Sequence, residues 1–215
     1  AAAAAKGTAN KVETITSYEE GKEIFGEDAA GSRGMSTLLR LLFLNGAGTV
    51  KAVAVGKGTD GAADYASAFA ALEDEENVGV IVCDSTEQTV HQSLKTSVEN
   101  ASKRRRERIA VVGGANETAA QLVNHAKAIN SERVVLVGPD AAMTDGTEVS
   151  AAFAAAAVAG VIAAGTDPSV PVNGAELSGL GTVSRQWSDS EIDQLVRGGV
   201  TPLECVGGVC SPVRG

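Results

Sequence analysis

Four short runs of small and branched apolar residues constrain this chain most. They are VKAVAV at Val50–Val55, VGVIVC at Val78–Cys83, RIAVV at Arg108–Val112 and RVVLV at Arg133–Val137. Each is apolar almost throughout instead of alternating with polar residues, the pattern of parallel strands covered on both faces. Helix-length segments separate them: Ala62–Leu72, Thr86–Arg104 and Glu117–Ile129. After the fourth run, Gly138-Pro139 leads into an Ala-rich helix. Strand and helix in alternation, joined by right-handed crossovers, predict an α/β fold: an open, mostly parallel sheet with helices on both faces.

Smaller α+β elements are expected at both ends. Thr16 and Ser17 each precede a Glu by three residues (Glu19 and Glu20), two overlapping capping boxes ahead of a helix over Tyr18–Phe25 that Gly26 stops. A second helix, Met35–Leu44, turns Leu38, Leu39, Leu41 and Leu42 toward a core and ends at Asn45-Gly46. Near the other end Ser188 and Glu191 make a capping box, Ile192, Leu195 and Val196 form a buried stripe, and Gly198 stops the helix. The resulting division is 1–46 as an N-terminal arm and helices, 47–164 as the α/β core, and 165–215 as a linker, short helix and β-hairpin. The linker is Gly165–Gly181, where Asp167-Pro168, Pro171 and glycines break regular structure.

Composition narrows the function. Among 215 residues, 27 acidic against 18 basic side chains leave a net charge of −9, which offers no basic field for nucleic acid. Aromatics are 3% while Gly numbers 25, so the core rests on small aliphatic side chains that pack closely but bury little area each. The longest apolar stretch, Val149–Ala164, is too short and too Ala-rich to cross a membrane. AAAAAKGTANK lacks the basic and apolar regions of a signal peptide, and its leading alanines read as an unassigned arm or as residues foreign to the native chain. Cys83 ends an apolar run and is expected buried and reduced. Cys205 and Cys210 flank Val-Gly-Gly-Val; in a two-residue hairpin they face each other at a non-hydrogen-bonded position, about 4.5 Å apart. A disulfide fits there near the short limit, compartment logic favours thiols, and no nearby third ligand supports a metal.

Candidate chemistry is sparse. Gly113-Gly114-Ala115-Asn116-Glu117 and Gly56-Lys57-Gly58-Thr59 follow strands, where glycine turns can cradle phosphate, yet neither completes a dinucleotide or P-loop pattern. A nucleotide- or ligand-binding domain, or an enzyme, using the turns near Gly56 and Gly113 is the alternative reading. His91 and His125 sit on expected helices without an obvious partner, and His125 is expected in solvent. Asp84-Ser85 reads as an N-cap, since no nucleophile elbow or ordered acid and His accompany it. No catalytic, metal or cofactor residue is assigned, and the chain is not read as an enzyme.

Two charge clusters remain. Glu73, Asp74, Glu75 and Glu76 end the first crossover helix, where the macrodipole disfavours acids; Lys103, Arg104, Arg105 and Arg106, with Arg108, end the second, where bases are favoured. They read either as solvated helix ends or as opposite patches that meet between neighbouring copies and set register in an assembly. The second reading needs both on one rim of the sheet.

Several segments resemble the contractile tail sheath proteins of phages and prophages, the Mu-like branch especially: ITSYEEGKEIFG, LLRLLFLNGAGTVKAVAV, SKRRRERIAVV, AAAAVAGVIAAGTDPSVPVNGAEL and SEIDQLVRGGVTPLE. Their order and spacing, from Val12 to Gly215, carry the resemblance. It implies a structural subunit stacking as hexameric rings around a tail tube, with no nucleotide or other cofactor. It implies arms that add strands to an adjacent subunit's sheet, and contraction by subunit rearrangement. The partners implied are further copies of the chain and the tube protein, the place the virion tail, and the site of synthesis the host cytoplasm. Family members continue beyond the hairpin into a C-terminal domain and arm, so these residues read as part of a longer protein.

Overall fold

The computed structural model describes residues 1–165 and 170–213. Two antiparallel strands, β1 (Val12–Ile15) and β2 (Val50–Val53), enclose α1 (Tyr18–Phe25) and α2 (Met35–Leu44) in sequence. A short hairpin follows, β3 (Gly56–Lys57) with β4 (Ala63–Asp64), and then α3 (Tyr65–Glu73). The alternating part comprises β5 (Val80–Val82), α4 (Gln88–Lys103), β6 (Ile109–Gly113), α5 (Ala119–Ile129) and β7 (Val134–Gly138). A second hairpin, β8 (Ala141–Met143) and β9 (Glu148–Val149), leads to α6 (Ala151–Ala164). The chain closes with β10 (Leu180–Val183), α7 (Asp189–Arg197), β11 (Val200–Val206) and β12 (Val209–Pro212).

The main sheet has five strands in the order β12-β11-β7-β6-β5. Four run parallel, and β12 folds back antiparallel on β11 through the Gly207-Gly208 turn, where both residues have positive φ. That turn is the type I′ geometry that matches strand twist, which is why two glycines stand there. The parallel α/β class expected from the apolar runs is therefore present. One expected member is not: Val50–Val55 does not join the main sheet. Its first four residues pair with β1 instead, in a separate two-stranded sheet. The physical reason lies at its other edge, where Ala2 bridges Ala54, so that part of the N-terminal segment occupies the ladder position next to it.

Helices cover both faces of the main sheet. On one face lies α6, whose residues from Ala151 to Gly160 are all buried between the sheet and α2. Being apolar all round, it behaves as a core helix. On the other face α4 and α5 supply Leu94, Val98, Leu122 and Ile129, with α3 and α7 packed alongside. Capping chemistry sets the helix limits. Thr118 with Gln121 and Ser188 with Glu191 form complete capping boxes, the first not foreseen. At α1, Ser17 accepts from the Glu20 amide as expected, but Glu20 reaches back one residue further, to the amide and hydroxyl of Thr16.

Three further expectations change on inspection. The leading alanines are part of the fold: Ala2 is fully buried, its amide donates to the Val53 carbonyl, and Ala3 joins Asp84 and Met35. Asp84 is no cap, since it accepts from the Tyr65 hydroxyl and the Ala3 amide; Ser85 receives the amide of Glu87, one residue ahead of α4. The linker foreseen over 165–181 is ordered where it is described. Gly174 and Leu177 donate to Pro212 and Cys210, covering the outer edge of β12; Asp167-Pro168 lies outside the described residues.

Candidate functional site

The charged clusters occupy one rim of the main sheet. α3 and α4 each precede a parallel strand, so their C-termini share a chain direction and both end at the rim where β5 and β6 begin. There the opposite patches meet within one chain. Arg104 pairs with Glu73 at 3.2 Å and Asp74 at 3.0 Å, and Arg106 pairs with Asp74 at 2.9 Å. Glu75 pairs with Lys51 at 3.1 Å, and Lys103 donates to Asn100 on its own helix and has no ionic partner among the described residues. Glu76 and Arg105 are exposed and have no ionic partner among the described residues.

Beneath these pairs sits Arg108, which the sequence places merely at the end of the basic run. It is 3% exposed and donates to the carbonyls of Leu72, Glu75 and Arg106 at 2.8, 2.8 and 3.3 Å. These include terminal carbonyls of α3, the groups a helix end leaves without partners. A cation there also opposes the unfavourable placing of Glu73 and Asp74 at a helix C-terminus. Burial, with Arg106 nearby, lowers the affinity of Arg108 for its proton, while Glu73 and Glu75 act the other way. Exposed pairs of this kind contribute roughly 0.2–1 kcal/mol each, so most of the structural weight falls on Arg108.

The opposite rim is where ligands bind in open α/β sheets, and there the glycine turns are filled by the chain itself. A Cβ on Gly113 would run into the Ala151 backbone at the start of α6, and one on Gly114 into the Leu122 side chain. These glycines permit close approach of chain to chain, not of chain to phosphate. The space in front of Gly113 holds the first turn of α6, whose Ala151 amide is taken by Asp140 at 2.7 Å. Burial raises the Asp140 carboxyl above its ordinary value, and the hydrogen bond from Ala151 opposes this. Gly56 lies in the β3–β4 hairpin, not in a turn opening a helix, and the Asn10 side chain stands against it.

Both histidines have partners, against expectation. His91 is fully buried and His125 is 5% exposed, at the contact of α4 with α5. His91 Nε2 donates to the Ser85 carbonyl at 2.9 Å, which leaves Nδ1 to accept from His125 Nε2 at 3.0 Å. His125 Nδ1 lies 3.3 Å from Glu117. The neutral tautomer of His91 follows from this network. Burial holds His91 down to about 4, against its hydrogen bond to the Ser85 carbonyl and with His125 adding to the fall. Neighbouring polar bonds run the same way across the two helices, Gln92 to the Ala128 carbonyl and Lys95 to that of Ile129.

Cys83 is buried and free, its thiol pushed up to about 11 by burial. Cys205 and Cys210 are opposite each other in register and joined as a disulfide, the option that compartment logic had disfavoured. Beyond them the hairpin tip exposes Val206 and Val209. Among the described residues no group of three or more His, Cys, Asp or Glu could hold a metal, and no helix is long and apolar enough to cross a membrane.

The turn at Gly113 is thus filled by the chain's own helix, and Arg104, Arg106 and Arg108 are engaged at its own helix ends. Comparison with known proteins supplies the family. Residues 58–210 match the model of the phage tail sheath protein central domain, and the chain belongs to that family. The tail sheath protein of Bacillus phage SP01 is 34% identical over 134 residues, covering 59% of this chain and 23% of that protein. The sheath tail protein from Desulfitobacterium hafniense superposes with a TM-score of 0.72 at 13% identity, over 98% of this chain and 68% of the other. The helical sheath of the anti-feeding prophage in its contracted state gives 0.68 at 16% identity, over 95% and 56%. At such identities the structures share the fold. The chain spans about a quarter of its curated relative and a little over half of the prophage sheath protein.

Proposed function

We propose that this chain is the central part of a subunit of a contractile tail sheath, which stacks as hexameric rings around a tail tube and contracts by rearrangement of its subunits. The match to the sheath central domain over residues 58–210 carries the reading. The contracted helical sheath of the anti-feeding prophage, which has the same fold, supports it. The partners are other copies of the chain and a tube protein, the setting is the virion tail after synthesis in the host cytoplasm, and no reaction is catalysed. The chain's own part in this is rigidity. A helix buried on every side and glycine contacts without slack let the domain move as one body, so that change is confined to contacts between copies. Contacts of that kind fall to the charges the chain does not use internally, Glu76, Lys103 and Arg105, and to the outward faces of Glu73, Asp74, Glu75, Arg104 and Arg106.

Electron microscopy of the full-length protein tests this. Long hollow cylinders with regular striations are expected. A full-length protein that stays monomeric at all concentrations and gains thermal stability with a nucleotide would overturn the proposal in favour of a ligand-binding domain.

A further inference from the structure

The two ends of β11 carry features that fit each other. At one end the chain turns back through Gly207-Gly208, and the last cross-strand pair before that turn is Val206 with Val209, 72% and 50% exposed. Leu203 and Cys210 are fully buried, so alternation along the two strands puts Val206, Val209 and Glu204 together on the opposite, outward face. The tip is braced from both strands. Cys205 and Cys210 are bonded to each other, Gln186 donates to the Cys205 carbonyl at 3.2 Å, and Leu177 donates to that of Cys210 at 2.8 Å. Two exposed valines alone would be ordinary surface. A stiff tip that presents them beside a carboxylate has little further freedom to lose on docking.

At the other end of β11, about 20 Å away, the surface is concave. A groove of about 630 Å³ lies between the end of α5, the start of β7 and Gly198-Gly199 ahead of β11. Ala126, Ile129, Val134 and Leu136 give it an apolar floor, and the exposed Lys127 stands at its lip. An apolar centre with a polar edge is the anatomy of a protein contact. The volume is that of a small-ligand pocket, enough for a two-residue turn and its flanking side chains. Because β5, β6, β7 and β11 run parallel, this groove opens on the same rim as the charged ends of α3 and α4.

We propose that the Val206–Val209 tip of one copy seats in the groove at the start of β7 and β11 of a second copy, where Glu204 of the first meets Lys127 of the second. Copies then join head to tail along the strands of the main sheet. Two observations select a second copy as the occupant. Tip and groove sit at opposite ends of one strand, so a displacement along that strand brings one to the other, and the same contact repeats from copy to copy. The charges without an ionic partner among the described residues also differ in sign between the ends. Glu87, Asp189 and Glu204 stand against Arg185 at the tip rim, and Lys103, Arg105 and Lys127 against Glu76 and Glu132 at the groove rim. Helix macrodipoles account for much of that sorting, and it steers unlike ends together whatever its origin. The proposal rests on the reading of this chain as an assembling subunit and adds which surfaces meet.

The test places a benzophenone-bearing amino acid at Val206 of the full-length protein and mixes isotopically light and heavy copies before irradiation. Cross-linked peptides with one light and one heavy half are expected to join position 206 to residues 126–136 or 198–199. Cross-links between copies that land elsewhere, or none at all, would overturn the contact. If cylinders form without such cross-links, the contact falls and the sheath reading stands; cross-links without cylinders would have the reverse meaning. A second arm exchanges charges. Glu204→Lys and Lys127→Glu are each expected to raise the concentration needed for half-assembly at least about fivefold, and the double variant to return it to within about twofold of the parent. The two side chains belong to opposite ends of the molecule, so rescue cannot arise within one copy. Single variants that assemble like the parent, or a double variant no better than either, would sink the idea.

Discussion

The two faces of the main sheet are held by different physics. On one, α6 presents mostly Ala and Gly, with Phe153 and Val158, between the sheet and the leucines of α2: Gly160 lets α6 approach so closely that a Cβ there would stand 2.8 Å from the Leu42 carbonyl, and Gly113 does the same for the sheet against Ala151. On the other, α4 and α5 are ordinary amphipathic helices tied to each other by polar bonds, the His91–His125 pair among them. The first face gains close contact and has no tolerance for added atoms. The second tolerates change in size but answers to pH. Substitutions that separate these behaviours test the contrast.

Gly113→Ala should be the most damaging. The added methyl meets backbone, which cannot rotate away, so loss of on the order of 4 kcal/mol or failure to fold is expected. Gly48→Ala is the control: nothing lies within 4 Å of its Cβ and its φ is ordinary, so stability should hold or rise by a few tenths of a kcal/mol. Urea unfolding of the two side by side checks this, and similar midpoints would refute close packing at Gly113.

Arg108→Met comes next. It leaves the Leu72 and Glu75 carbonyls buried without their donor, at roughly 1–3 kcal/mol for each unmet group, offset in part by the apolar stem. A loss under about 0.5 kcal/mol would mean that water reaches the end of α3 and that Arg108 is no cap.

The polar face should show itself in acid. Burial depresses His91 from 6.5 to about 4, so between those values the unfolded chain binds more protons than the folded one. Stability contributed by neutral His91 is then complete above pH 6.5 and declines as pH falls toward 4, by up to about 3 kcal/mol. Thermal midpoints at pH 7 and pH 5 should differ for the parent and differ less for His91→Leu. An unchanged pH dependence in that variant would shift the acid response to other groups.

What the sequence made legible follows the same division. Elements written by local chemistry were readable: the helices Tyr18–Phe25 and Met35–Leu44, the Ser188–Glu191 box and the Gly207-Gly208 hairpin agree with their capping and turn residues. The parallel class followed from uninterrupted Val and Ile runs. Relations between distant segments were not readable. Nothing local in VKAVAV says that its neighbour is Ala2 instead of β5, and nothing in RRRERI says that Arg108 turns inward while Arg104 and Arg105 stay in solvent. The two histidines are 34 residues apart and meet only because two crossover helices lie side by side. Asp140 caps α6 from across the β8–β9 hairpin, a segment passed over in the sequence because strands of two and three residues leave almost no periodic signal.

The smallest effect on stability is expected at the charged rim, and that makes it the most useful place to probe assembly. Arg104 and Asp74 are largely exposed, so Arg104→Glu should cost the isolated chain no more than about 1 kcal/mol, and less in salt. Pairing Arg104→Glu with Asp74→Arg restores opposite signs between those two positions while reversing what a neighbour meets, though Glu73 and Arg106 then each meet a like charge. If the rim contacts a second copy, that double variant still folds, with a modest loss of stability that salt reduces, yet the full-length protein carrying it assembles poorly until the salt concentration is raised. Cylinders of normal length and yield from the double variant would confine these charges to the ends of α3 and α4, and contact between copies would then have to be sought on surfaces away from this rim, the exposed Val206–Val209 hairpin tip first among them.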